Sequence, residues 1–258
     1  MPIVLVDIGA SGKMVEPWAS VAKFAPEALQ IIGFEPDEIE CARLNADAKS
    51  NRAAPQMRFI PTALWHSSGP LYLHVAKHGS TSSVYPPNWD FLQTFEASHW
   101  APRKTKALVQ LSALALDEAA NEHAFKPDFL KIDTQGSEYE ILHGARDVLA
   151  AHCMGCTLET WTAPVHSGQK LSFEIMRFMH DIRYCVFDIE RTAVWQRAQD
   201  AGIKVNRGEL VGFDLLYFND PEEIKTRTAP QIIKAAVVFD LWGYRRLAMS
   251  LLESVEKN

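Results

Sequence analysis

Short apolar runs alternate with amphipathic stretches along most of the chain. The apolar runs are bounded by polar or glycine-containing turns, which is typical of buried strands. They predict strands at residues 3–9, 30–36, 57–64, 69–76, 128–133, 155–160, 184–189 and 212–218. Apolar positions at helical spacing predict helices at residues 14–24, 38–51, 116–123, from about 138 onward, and 172–182, with Asp37 as the N-cap of the second helix. This alternation predicts an α/β fold with a parallel, doubly wound sheet.

The chain continues beyond the last of these strands. Residues 79–106 form a predicted irregular insert rich in Ser, Pro and aromatic residues, whereas residues 229–255 form an apolar tail of helical character, broken at Gly243. We therefore expect a main domain over residues 1–222 and a helical extension over residues 223–258. The apolar faces of that extension predict packing on the chain's own sheet or, alternatively, a homodimer contact.

Composition and charge exclude several classes of protein. The net charge of −6 and the pI of about 5.9 provide no basic footprint for nucleic acid. No apolar run approaches the ~18 residues of a membrane span. The first run, Ile3 to Val6, lacks a preceding basic residue and ends at Asp7, so a signal peptide is not expected. We expect a cytoplasmic protein.

The four cysteines include one CxxC pair, Cys153 and Cys156 in "HCMGC". Such a pair can form half of a zinc site or a redox centre. No second pair of ligands with suitable spacing is present, and the following "TLETW" predicts a strand rather than a helix start. Buried, reduced thiols are therefore the favoured interpretation.

Carboxylates occur at the carboxyl ends of four predicted strands. Asp7, Glu35, Asp133 and Glu159 each end a strand, and Ala63 ends another. Because ligands of open α/β sheets bind at this edge, these side chains predict one acidic pocket beside the turn that contains Gly9 and Gly12.

The turn after the first strand, "VDIGASG", departs from the GxGxxG fingerprint of dinucleotide sites. Asp7 takes the place of the first glycine, and a carboxylate beside a pyrophosphate is electrostatically unfavourable. It suits a cation such as the sulfonium or ammonium group of S-adenosylmethionine. Glu35 can hydrogen-bond to the two ribose hydroxyls of NAD or of S-adenosylmethionine, so it does not discriminate between these two cofactors.

At these residues the chain resembles the FkbM-type S-adenosylmethionine-dependent methyltransferases. The resemblance covers roughly residues 3–220. It rests on "VDIGASG", "GFEPD", "TALWHSSGPLYLHV", "STSSV", "TLE", "FDLLYF" and, most specifically, "DFLKIDTQGSEYEILHGA" at residues 128–145. It implies a Rossmann-like sheet of seven strands with an antiparallel last strand, and methylation of a hydroxyl on a sugar, glycolipid or secondary metabolite. The implied cofactor-binding residues are Asp7, Gly9, Ala10, Gly12, Glu35, Pro36, Ala63 and Asp133.

The chain departs from the family pattern at two positions. Gln135 stands where an acidic residue is usual, and Lys13 stands where a further glycine is often found. These departures leave open a catalytically inactive, cofactor-binding scaffold. The other alternative, a nicotinamide-dependent oxidoreductase, is disfavoured by Asp7.

Candidates for removing the acceptor's proton are Asp133, Glu159 and His166, with Glu138 as a further candidate. Glu138 can equally serve as a helix N-terminal charge. Asp133 and Glu159 end adjacent predicted strands, so a divalent cation shared between them is a further hypothesis. The expected partner is a small-molecule or glycan acceptor.

Overall fold

The computed structural model describes residues 1–51, 53–200, 202–203 and 207–256. Within these residues the strands are β1 (Ile3–Ile8), β2 (Leu29–Phe34), β3 (Gln56–Ile60), β4 (Ala63–Leu64), β5 (Gly69–Ala76), β6 (Thr105–Leu114), β7 (Phe129–Ile132), β8 (Gly155–Trp161), β9 (Tyr184–Trp195) and β10 (Glu209–Asn219). Most of the predicted strands are therefore confirmed, with shifted ends.

Helices connect most of these strands. They are α1 (Trp18–Phe24), α2 (Glu38–Ser50), α3 (Trp89–Leu92), α4 (Ala97–Trp100), α5 (Leu116–Glu122), α6 (Glu138–His143), α7 (Arg146–Ala151), α8 (Ser172–Asp181), α9 (Pro221–Ile224), α10 (Ala229–Leu241) and α11 (Arg245–Glu256). The predicted N-cap of α2 is confirmed, because Asp37 Oδ1 accepts from the amides of Ile39 and Glu40 at 2.9 and 3.0 Å.

The main sheet has seven strands in the order β3-β2-β1-β7-β8-β10-β9. Strands β3, β2, β1, β7 and β8 pair in parallel, whereas β10 is antiparallel to both of its neighbours. The order reverses on either side of β1, where β2 pairs on one edge and β7 on the other. The predicted doubly wound sheet with an antiparallel last strand is confirmed.

Side chains of each strand alternate between two faces of this sheet. We call the first the α5–α8 face, because Leu130, Ile132, Leu158 and Leu215 pack there against buried residues of α5, α6, α7 and α8. We call the second the hairpin face, because it is covered by α1 and by the antiparallel pair α10–α11. Strands β1, β2, β7 and β10 therefore contribute to two separate apolar clusters.

The hairpin of α10 and α11 packs on the chain's own sheet. Phe239 of α10 is fully buried and stacks on Phe218 of β10, with ring centroids 4.2 Å apart. Gly243 breaks the two helices with a φ of 86°. The structure thus shows self-packing of the predicted extension, whose last two residues lie outside the described ranges. A homodimer contact through its outer surface stays a prediction.

A second sheet of three strands, in the order β4-β6-β5, stands beside the main sheet. The predicted strand 57–64 is split into β3 and β4. Strand β6 was not predicted, and the predicted insert ends where β6 begins. The residues between β5 and β6 include the short helices α3 and α4, which pack against Trp161 and Trp195 in a separate apolar cluster.

The predicted helix over residues 14–24 starts late, at Trp18. Residues 14–17 continue the turn that follows β1, and Val15 and Glu16 face a cavity described below. Among the described residues, no helix combines the length and the hydropathy that crossing a membrane requires.

Candidate active site

The carboxyl ends of the parallel strands bring the predicted residues to one edge. Asp7 lies beside Gly33 of β2 on one side and beside Lys131 of β7 on the other. Glu35 follows β2 directly, and Asp133 follows β7, where its amide donates to the carbonyl oxygen of Ile8 at 3.1 Å. The edge therefore joins side chains that are more than 120 residues apart in the chain.

The turn after β1 is shaped by glycine. Gly9 and Gly12 have φ values of 79° and 74°, in the left-handed region that favours glycine. A Cβ at Gly9 would overlap the carbonyl oxygen of Asp133. The amides of Gly9 and Ala10 donate to the carbonyl oxygen of Phe34 at 3.2 and 3.1 Å, which fixes the turn against β2. The result is a tight backbone cradle at the sheet edge.

The end of β2 presents a half-buried carboxylate. Glu35 Oε1 accepts from the amide of Asp37 at 2.8 Å, and burial, the largest cause, raises the pKa of Glu35. Pro36 is half-buried beside it, and Ala63, at the start of β4, is buried. Glu35, Pro36 and Ala63 thus lie where strands β2, β3 and β4 end or begin.

Lys131 is the main site residue that sequence reasoning missed. Its Nζ lies 3.0 Å from Asp7 Oδ1 and 3.7 Å from Asp133 Oδ2. Burial raises the pKa of Asp7, and the charge of Lys131 partly opposes that shift. Asp7 therefore has a cation from the chain itself. This corrects the inference that Asp7 by itself calls for a cationic cofactor. Lys131 shares the strand face of Phe129, two residues earlier, and the parallel register of β7 with β1 places it beside Asp7.

A cavity of about 390 Å³ opens on the hairpin face beside this edge. Its lining is rich in carboxylates, with one lysine and with apolar side chains at its margins. The lining includes Val15, Glu16, Lys131, Asp133, Thr157, Glu159, Asp188, Glu190, Asp214, Leu216 and Trp242. The lining therefore holds an excess of carboxyl groups over cationic groups, and its lysine is already paired with Asp7.

Three of these carboxylates lie in one row across neighbouring strands. Asp214 of β10 is directly opposite Glu159 of β8 and opposite Glu190 of β9. Like charges in this arrangement repel and disfavour the ionised forms. Burial, then the neighbouring carboxylates, raise the pKa of Glu159 well above its ordinary range, and burial raises the pKa of Asp214 to about 6. Carboxyl groups with raised pKa values in a cavity are suited to exchanging protons.

Glu159 is held by a residue from the loop after β7. Gln135 Nε2 donates to Glu159 Oε2 at 2.6 Å and to Asp133 Oδ1 at 3.5 Å. The structure thus brings together two of the predicted bases, Asp133 and Glu159, with Gln135 between them.

Glu138 lies elsewhere and has different contacts. It is 1% exposed, and its carboxylate accepts from the amides of Thr134 and Gly136 at 2.9 and 3.0 Å and from Thr134 Oγ1 at 3.0 Å. Burial raises the pKa of Glu138 to about 7, against these hydrogen bonds. Its contacts are those of a group that organises the β7–α6 loop, and it does not line the cavity.

His166 is also separated from the cavity. It is 1% exposed, its amide donates to Gln169 Oε1 at 2.6 Å, and its Nδ1 lies 3.2 Å from the same oxygen. Burial lowers the pKa of His166 to about 3. The imidazole is therefore neutral near pH 7 and a weak base, and the cavity lining does not include it.

The structure gives the divalent-cation hypothesis no support. In the described part of the chain, no group of three or more His, Cys, Asp or Glu side chains is arranged to hold a metal ion. One oxygen of Glu159 is already engaged by Gln135.

The two cysteines of the CxxC pair are free and buried, and burial raises the pKa of both thiols. The predicted burial of both thiols is confirmed.

Solved structures of methyltransferases resemble the chain at low sequence identity. The methyltransferase FkbM of Methylobacillus flagellatus KT is 15% identical, with a TM-score of 0.48; the match covers 84% of this chain and 44% of that one. A SAM-dependent methyltransferase of Aquifex aeolicus is 9% identical, with coverage of 83% and 81% and a TM-score of 0.36. The C-terminal domain of precorrin-6Y C5,15-methyltransferase from Rhodobacter capsulatus is 12% identical, with coverage of 84% and 80% and a TM-score of 0.37.

This chain therefore spans less than half of the FkbM structure that it matches. No curated protein sequence matches it. The family model for the methyltransferase FkbM domain matches residues 7–189, a stretch that includes the turn after β1, the β7–α6 loop and the end of β8. Because this match extends over more than half of the sequence, the chain belongs to the FkbM methyltransferase domain family.

Proposed function

We propose that this chain transfers a methyl group from S-adenosylmethionine to a hydroxyl group of a sugar, glycolipid or secondary metabolite. The observation that carries the proposal is the junction of the glycine turn with the carboxylate-lined cavity at one sheet edge. The turn and Glu35 provide the cofactor side, and Asp133 and Glu159 provide the acceptor side.

The residues at this edge fit S-adenosylmethionine. Gly9 lets the turn after β1 pack directly against the carbonyl oxygen of Asp133, which brings the turn and the end of β7 together at this edge. Glu35 has one carboxylate oxygen engaged by the amide of Asp37, and its other oxygen can accept from a ribose hydroxyl. The excess of carboxylates in the cavity favours a sulfonium cation and disfavours a pyrophosphate. This charge also weighs against a nicotinamide dinucleotide.

S-adenosylmethionine supplies an activated methyl group, and its sulfur leaves as a neutral thioether. The acceptor oxygen forms the new carbon–oxygen bond and must lose its proton as it does so. We assign that proton to Glu159, because its raised pKa makes it a stronger base than an ordinary carboxylate. Asp133, Asp214 and the cavity walls would orient the acceptor for in-line attack.

Calorimetry with S-adenosylmethionine tests the cofactor part of the proposal. Glu35→Ala should weaken binding about tenfold to a hundredfold, as expected for a hydrogen bond to a charged group worth roughly 1.5–3 kcal/mol. Glu27→Ala, an exposed glutamate before β2, is the control and should bind as the wild type does. Tighter binding of a nicotinamide dinucleotide than of S-adenosylmethionine would refute the assignment.

An acceptor screen tests the transfer itself. Extracts of metabolites and glycans would be incubated with the protein and S-adenosylmethionine carrying an isotopically labelled methyl group, and the labelled products identified by mass spectrometry. Glu159→Gln should bind the cofactor but lose most of the transfer. Cofactor binding without transfer to any acceptor would instead favour the inactive-scaffold alternative.

A further inference from the structure

The loop after β7 contains an unusual backbone conformation at Gln135. Its φ of 58° lies in the left-handed region, which residues with a Cβ rarely adopt, and Gly136 follows with a φ of 116°. The hydroxyl of Ser83 donates to the carbonyl oxygen of Gln135 at 2.7 Å and holds this conformation from the other side. Backbone strain that is retained and supported in this way points to a functional task for the residue.

The amide of Gln135 lies between groups of opposite charge. Its Nε2 donates to Glu159 Oε2 at 2.6 Å, and its Oε1 accepts from Arg103 Nη2 at 3.5 Å. This orientation of the amide pairs each donor with an acceptor, whereas the flipped orientation would pair like with like. A glutamate at this position would offer Glu159 no donor.

Arg103 reaches this place from the insert between β5 and β6. It is 9% exposed and forms no ion pair within the described residues. Its Nη1 donates to the carbonyl oxygen of His99 at 2.7 Å, and its guanidinium lies 4.9 and 5.6 Å from the rings of Trp195 and Trp161. The charge of this buried cation favours the ionised form of Glu159 across space, and the amide of Gln135 connects the two side chains by hydrogen bonds.

We propose that Gln135 is a positioning residue that holds the Glu159 carboxylate toward the cavity and connects it to Arg103 of the insert. Gln135 engages Oε2 of Glu159, while Oε1 has no hydrogen-bond partner in the described part of the chain. That oxygen is the one left for an acceptor hydroxyl. This inference rests on the role proposed above for Glu159.

Several charged groups face Glu159 and set its protonation together with Gln135. They come from the end of β7, from α6, from β10 and from the insert, and are Asp133, Glu138, Asp214 and Arg103. The three carboxylates disfavour ionisation of Glu159 and the guanidinium favours it. The hydrogen bond from Gln135 stabilises the ionised form, so its loss should raise the pKa of Glu159.

The test is a titration of Glu159 in the full-length protein labelled with ¹³C at the glutamate side-chain carboxyls. Glu159→Gln assigns the signal. Gln135→Met removes both hydrogen bonds at similar volume, and Gln135→Glu adds a negative charge beside Glu159. Both should raise the titration midpoint by at least about one pH unit, a tenfold change in the ionisation constant, with the larger shift in Gln135→Glu.

Gln135→Asn provides a second variant that tolerates the left-handed backbone. It retains an amide but is too short to span from Arg103 to Glu159, so it should also raise the midpoint. Gln231→Met is the matched control, since the Gln231 amide of α10 bonds Thr228 and the carbonyl oxygen of Ala151, away from the cavity. An unchanged Glu159 midpoint in the Gln135 variants would overturn the proposal.

The same samples separate this inference from the proposed function. Calorimetry with S-adenosylmethionine on the wild type decides cofactor binding and does not involve Gln135. Wild type that fails to bind S-adenosylmethionine would refute the proposed function, while the carboxyl titration would still decide whether Gln135 controls Glu159. If both hold, Gln135→Met should bind the cofactor with an affinity within about threefold of wild type, since Gln135 lies on the acceptor side.

Discussion

The two faces of the main sheet differ in what their strands bury. On the α5–α8 face, apolar residues such as Leu130, Ile132 and Leu158 pack against the helices. On the hairpin face, the same strands bury Phe129 and Phe218 under α10 and α11, and then present Lys131, Glu159 and Asp214 to a cavity.

Apolar and charged residues of the hairpin face also lie at different positions along the same strands. Within β10, Phe218 and Leu216 pack in the apolar cluster under the hairpin, and Asp214, two residues earlier on the same face, lines the cavity. The hairpin stops short of the carboxyl edge, where Trp242 forms one wall of the cavity. On this face, apolar side chains thus lie under the hairpin, and charged side chains lie just beyond it.

The apolar half of the hairpin face should respond most strongly to truncation. Phe239→Ala removes a fully buried ring stacked on Phe218 and should destabilise the protein by about 3–5 kcal/mol in urea unfolding. Ile233→Ala, on the same helix but 46% exposed, is the control and should change stability by less than about 0.5 kcal/mol. Equal effects of the two substitutions would contradict the packing of α10 on the sheet.

In the charged half of the hairpin face, a substitution that leaves a buried carboxylate without its cation should destabilise the protein. Lys131→Met leaves Asp7 buried without its cation and should cost about 3 kcal/mol at pH 7, the lower end for a broken buried pair. The loss should shrink toward pH 4, because Asp7 then takes up a proton instead. Lys126→Met, at an exposed lysine just before β7, should be neutral. A pH-independent loss in urea unfolding would show that lost packing, not charge, is responsible.

Glu138 should make the wild type less stable as pH rises. Its pKa is raised from 4.5 to about 7 in the folded state, so the folded protein holds this proton more tightly than the unfolded chain. Its contribution is full below about pH 4.5 and is lost as pH rises to about 7, at most about 3 kcal/mol.

Glu138→Gln removes this titration while it retains an oxygen for the amides of Thr134 and Gly136. The fall in unfolding free energy between pH 5 and pH 8 should therefore be smaller in the variant than in the wild type. Parallel curves for the two proteins would mean that Glu138 titrates normally.

The glycine turn should show the smallest loss of stability. Gly12→Ala places a Cβ at a φ of 74° and 2.5 Å from a methyl group of Leu44, and should cost about 1–2 kcal/mol. S-adenosylmethionine binding, measured by calorimetry, should weaken as well. Gly79→Ala, where the space is open, should leave both quantities unchanged. Unaltered cofactor affinity in Gly12→Ala would separate the turn from the cofactor site.

Local signals account for the parts of the fold that the sequence predicted. The strands around β1, β7 and β8 have continuous apolar runs, Asp37 caps α2, and Gly243 breaks the helical tail with a positive φ. Strand β6 was missed although Val109, Leu111 and Ala113 alternate with Gln110 and Ser112, and most of its residues are exposed in the structure.

The acidic edge was predictable because the ends of parallel strands meet. The ion pair of Lys131 with Asp7 was not, since the partners are 124 positions apart and only the strand register brings them together. Arg103 was missed for the same kind of reason, because it lies in an insert whose packing on Trp161 and Trp195 has no sequence period. Predictions failed where a site residue acts through a distant contact.

The α10–α11 hairpin follows every strand of the sheet along the chain, and this order has a consequence for biosynthesis. The hairpin occupies residues 229–256, yet it covers strands that include β1, which precedes the other strands of the sheet. At roughly 5–20 residues per second, a ribosome needs about 2–7 s to add residues 220–256 after β10 is complete. During that interval the nascent sheet presents Leu5, Phe129 and Phe218 without their cover, which makes this the stage at which chaperones would bind the emerging chain.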